Sequence, residues 1–80
     1  MYAYRADVLD QLLTHGVRPT ARTPPERVHE FVSDLYRYEL RVLRGRLLEK
    51  ACPKPEYSAR VVAIRNRYRV IALKPRQWLE

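Results

Sequence analysis

The sequence predicts an all-α domain of three helices with one long central rod. Three observations carry that expectation. From Thr23 to Lys50 apolar residues recur at three- and four-residue steps for more than six turns, the period of a helix rather than a strand. Val8, Leu9, Leu12 and Leu13 make one apolar stripe that Gly16 closes. Tyr57, Val61, Ile64, Tyr68 and Ile71 follow at steps of four, three, four and three, the seam spacing of packed helices.

Taken in order, the first helix is expected over about 2–15, with His15 in its last turn and Gly16 as a left-handed cap. Val17 to Arg22 is a short connection. The central helix is expected over about 24–50. Thr23 with Glu26 three residues on reads as a capping box, and Pro24 supplies a pre-set φ at the first helical position. Glu26, Glu30 and Asp34 fill its early turns and Arg37, Arg41, Arg44, Arg46 and Lys50 its later ones, the order the helix dipole favours. Gly45 weakens it locally. Cys52 precedes Pro53 and is pushed away from helical backbone, so the rod should stop by about Ala51.

On a wheel of about 100° per residue, with Val28 as zero, Val28, Phe31, Val32, Leu35, Tyr38 and Val42 fall between about −80° and +40°. Tyr36, Leu40, Leu43 and Leu47 fall between about 60° and 120°. The apolar arc is close to 200° wide, whereas packing on a single partner needs only about 100°. Two neighbours are therefore expected: the first helix on the N-terminal part and another element on the C-terminal part. A rod of roughly 40 Å flanked by pieces of about 20 Å should still leave some apolar surface bare, the alternative being that the Arg69–Trp78 segment folds back and closes the gap.

A third helix is expected over about 55–67, with Pro55 at its first position and Asn66 as a left-handed terminator. The alternative is an α+β fold with a C-terminal hairpin of strands 57–64 and 68–73. Its Arg65-Asn66-Arg67 link lacks the glycine that tight hairpins use. Beyond it an extended tail is expected, anchored only by Trp78. Leu79-Glu80 resembles a cloning scar and is assigned no role.

The 80 residues make one small domain, with no room for a second core. One cysteine excludes an intrachain disulfide and fits a reducing compartment. No apolar run approaches the ~20 residues of a membrane span, and no signal-peptide pattern opens the chain. A cytoplasmic protein is the expectation. The net charge of +7 is lopsided: residues 1–36 carry net −1 and residues 37–80 net +8. A basic half attracts polyanions, although an arginine excess of thirteen to three over lysine also arises from genomic base composition.

Candidate chemistry is thin, and no enzyme activity is expected. His29 and Ser33 share a helix face, but Asp34 points about 100° away from Ser33 and cannot orient the imidazole. His15, His29 and Cys52 lie in three separate elements and make no metal set. Lys50 and Lys54 flank Cys52, which still reads as a half-buried loop thiol. Two isolated glycines cannot build a phosphate-cradling loop. No cofactor, metal or small-molecule substrate is therefore assigned. Glu39 falls at about 20° on the wheel, inside the apolar arc, where a carboxylate needs a partner such as Arg46 or Arg5.

Two functions remain. The first is a non-enzymatic interaction module, binding a protein partner or a second copy through an apolar strip on the long helix. Tyr4, Tyr36, Tyr38 and Trp78 are its candidate interface residues. The second is a sequence-independent nucleic-acid binder in which Arg37, Arg41, Arg44, Arg60, Arg65, Arg67 and Arg69 contact phosphates. Tyr36, Tyr38, Tyr57 and Tyr68 interleave with those arginines and would stack on bases, but core packing explains most of them more cheaply.

Overall fold

The computed structural model describes all residues from Met1 to Glu80. It is an all-α fold with three helices, α1 (Ala6–Thr14), α2 (Pro25–Leu48) and α3 (Lys54–Arg67), followed by two 3₁₀ turns, Arg69–Ala72 and Pro75–Trp78. The hairpin alternative does not form. Tyr57, Val61, Ile64 and Tyr68 stay on one helical face, with Ile64 and Tyr68 buried and the other two half-buried.

The helix ends differ from expectation in instructive ways. α1 begins only at Ala6, because the preceding residues run extended against the chain terminus. The Arg5 N–H donates to the Trp78 carbonyl at 2.8 Å, the Glu80 N–H donates to the Ala3 carbonyl at 2.8 Å, and Tyr4 bridges Leu79 in antiparallel fashion. Leu79 and Glu80, assigned no role above, are thus part of the fold. Thr23 does not cap α2. Pro24 holds the cap position in extended backbone, and the Thr23 hydroxyl accepts the Thr20 N–H at 3.0 Å instead. With the helix starting at Pro25, the capping-box spacing from Thr23 is lost.

The C-termini of α1 and α2 close by the same pair of backbone bonds. In α1 the Gly16 N–H reaches Leu13 at 2.9 Å and the Val17 N–H reaches Leu12 at 3.0 Å. In α2 the Lys50 N–H reaches Leu47 at 3.0 Å and the Ala51 N–H reaches Arg46 at 2.9 Å. Both are Schellman closures, which place the residue after the cap in left-handed backbone. Gly16 does this at φ 74° without cost, whereas Lys50 does it at φ 61° with a Cβ. Asn66, expected as a left-handed terminator, stays helical within α3. Replacing Lys50 by glycine is accordingly expected to stabilise the protein by about 1 kcal/mol, read as a higher urea midpoint. Gly16→Ala, with open space around the added methyl, should lose a similar amount.

The core is one cluster drawn from every element, including Val8 and Leu12 of α1, Val28, Val32 and Leu43 of α2, Ile64 of α3, Val70 and Trp78. Its centre is not what the sequence suggests. The tail is not extended: it folds into the two 3₁₀ turns and lays Trp78, 0 % exposed, against α2. The Trp78 Nε1–H donates to the Val70 carbonyl at 3.0 Å. His29 of α2 clamps the same segment, with its Nε2 at 3.0 Å from the carbonyls of both Ile71 and Leu73. Two acceptors on one ring nitrogen place the proton on Nε2. α1, expected to cover the N-terminal part of α2, lies chiefly against Arg69–Ala72. α3 packs along α2, and the whole is a rod of 48 × 18 × 17 Å.

Candidate docking face on α2

The tail and α3 cover α2 from one side only. Val28, Val32 and Leu43, at about 0° to 60° on the wheel, are buried. The neighbouring ridge at about −80° to −20° is not. There Phe31 is 54 % exposed, Tyr38 61 % and Val42 40 %, with Leu35 half-buried between them. These four stand at i, i+4, i+7 and i+11, which is the apolar spacing of a coiled-coil seam. The seam is bounded at one end by buried Val28 and at the other by Gly45, which carries no side chain.

Charge borders the seam on both sides. Arg27, Asp34 and Arg41 run along its outer edge, all exposed. Asp34 Oδ1 accepts from Arg37 at 2.5 Å, while Arg41 makes no ion pair within the chain. On the inner edge Glu39 and Arg46 enter a groove of about 400 Å³ between α2 and α3, whose floor is Leu43 and Ile64. Glu39 is paired neither with Arg46 nor with Arg5. Its Oε1 lies 3.4 Å from Arg67 of α3, and Arg5 engages Asp7 at 2.7 Å. Glu39 Oε2 is buried with no hydrogen-bond partner. Burial first, and then the Glu39 carboxylate beside it, push the Tyr68 hydroxyl up to about 12.

Of the four residues expected at an interface, two are core residues. Trp78 is fully buried, and Tyr4 is 8 % exposed with its hydroxyl donating to the Thr23 carbonyl at 2.6 Å. Neither reaches the surface strip: the Trp78 ring packs against His29 at 5.2 Å, and Tyr4 lies within the core cluster. Tyr36 is half-buried and tilted on Tyr68 at 5.3 Å, on the other side of α2. Tyr38 stands on the exposed ridge. Phe31, Leu35 and Val42 belong to the ridge as well, and their four-three-four spacing with Tyr38 was the available signal.

The arginines expected to contact phosphate are all exposed but differently engaged. Arg37 pairs with Asp34, Arg60 with Glu56, Arg67 with Glu39, and Arg69 donates to the Asn66 side chain at 3.3 Å. Arg41, Arg44 and Arg65 have no ion pair. His29 is turned into the tail, away from any arrangement with Ser33. Cys52 is more enclosed than expected, at 2 % exposed, with its thiol 3.7 Å from the Pro53 carbonyl. No helix is long and apolar enough to cross a membrane. Comparison with protein-family models, curated proteins and solved structures returned no match to this chain.

Proposed function

We propose that this chain is a non-enzymatic interaction module that self-associates through the bare ridge of α2. One observation carries the reading: Phe31, Leu35, Tyr38 and Val42 form a continuous apolar seam that the chain's own elements leave open. Large aromatic side chains on an open ridge cost free energy in water and are typical of partner surfaces. A Tyr and a Phe flanked by arginine have the composition found at the energetic centre of protein interfaces. The basic half then serves as the rim that keeps the module soluble and sets the orientation of docking.

Sedimentation velocity over a concentration series tests this. The weight-average mass is expected to rise from that of the 9.6 kDa chain towards twice that value. A mass that stays at the single-chain value at every concentration contradicts the reading.

A further inference from the structure

We propose that two copies pair α2 against α2 in antiparallel orientation, with Phe31 facing the partner's Val42 and Leu35 facing the partner's Tyr38. This rests on the reading of the ridge as a self-docking face and adds its geometry. The occupant follows from how the seam and its borders match themselves. In coiled-coil terms Leu35 and Val42 stand at a positions and Phe31 and Tyr38 at d positions. Arg27, Asp34 and Arg41 are then at g, and Val32, Glu39 and Arg46 at e.

The two orientations differ sharply in charge. Side-by-side parallel pairing sets each g residue against the partner's next e residue. Asp34 then meets the partner's Glu39 and Arg41 meets the partner's Arg46, and symmetry repeats both, so that every flanking contact between charged residues is between like charges. Antiparallel pairing sets g against g. With Phe31 opposite the partner's Val42, Asp34 falls opposite the partner's Arg41, again twice by symmetry. Arg41 has no acid of its own, and Asp34 engages Arg37 through one oxygen only, so both groups are free to pair. The e side brings Glu39 towards the partner's Val32, which is buried, and creates no repulsion. In this register the two ends of the seam also meet, buried Val28 opposite the partner's Gly45, where a Cβ would find nothing within 4 Å. Flanking charges of this kind select orientation in paired helices.

Sedimentation equilibrium at about 50 mM salt, where charge pairs are least screened, tests the arrangement on Asp34→Arg, Arg41→Asp and the double exchange. Either single substitution turns both attractive contacts into repulsions. Each is expected to weaken the dimer roughly tenfold, and the double exchange to restore it to within about threefold of the wild type. In a parallel dimer the single substitutions would create attractions to the partner's Glu39 or Arg46 and tighten association. Single variants that bind as tightly as wild type, or more tightly, overturn the antiparallel arrangement while leaving self-docking intact. A wild type that stays monomeric overturns both. All these positions are exposed, and circular dichroism checks that helix content is unchanged.

Discussion

Trp78→Ala is expected to destabilise the protein by about 3–5 kcal/mol, the range for emptying a fully buried large aromatic site. The indole is the largest buried side chain, has no exposed surface, and ties the final turn to Val70 through its N–H. Its loss also frees the neighbouring backbone. The Trp78 carbonyl accepts from Arg5, and Leu79 and Glu80 hold Tyr4 and Ala3. A chain of this size has a total stability of about 4–12 kcal/mol, so one substitution removes a large share of it. Urea unfolding followed by circular dichroism reads the change. Trp78→Phe, which keeps most of the volume and loses the N–H donor, should recover over half of the loss. A Trp78→Ala midpoint equal to that of the wild type would mean that the tail is an appendage rather than the keystone of the core.

The second large effect is on association and leaves the fold alone. Replacing Phe31 and Tyr38 together by lysine puts two cations into the seam of each copy, four across a symmetric pair. Each ring is already partly covered in the single chain, so docking buries the remainder, worth about 1 kcal/mol per ring. Losing four such contributions corresponds to roughly a thousandfold weaker dimer, before any repulsion between the new charges is counted. Lysine is a better helix former than either aromatic, and neither position is buried, so thermal stability at low concentration should be unchanged. An unfolded double variant would instead show that these rings belong to the chain's own core.

The long helix was legible because its period persists for so many turns that no strand reading competes. Its breadth of apolar arc correctly implied more than one neighbour. Of the neighbours, α3 was legible and does pack along α2, whereas the tail was not and takes the place expected of α1. Trp78 sits between Gln77 and Leu79 in a stretch with two basic residues, a proline and no periodicity, and a lone aromatic there carries no sign of where it packs. Its true place depends on contacts some seventy residues apart, such as Arg5 to Trp78, which no local pattern encodes. Once the tail is known to return, the covered side of α2 is fixed, and the bare ridge follows. Residue type alone selects the aromatics Tyr4, Tyr36, Tyr38 and Trp78 as an interface, a set that includes two core residues and leaves out Phe31, Leu35 and Val42.

Backbone closure at Lys50 was equally silent, since left-handed caps are read from glycine or asparagine and lysine gives no such cue. Glu39 was legible as a carboxylate on the wrong face. Its partner was not, because Arg67 comes from α3, and its distance in sequence hides the contact.

Solution mass on the wild type and on the Phe31→Lys/Tyr38→Lys variant, measured side by side by sedimentation equilibrium, is the most direct trial of a docking ridge on α2. A docking ridge on α2 requires a wild type that reaches twice its 9.6 kDa chain mass and a double variant that stays at the chain mass over the same concentrations. Equal masses for the two proteins, whether both single or both paired, would contradict it.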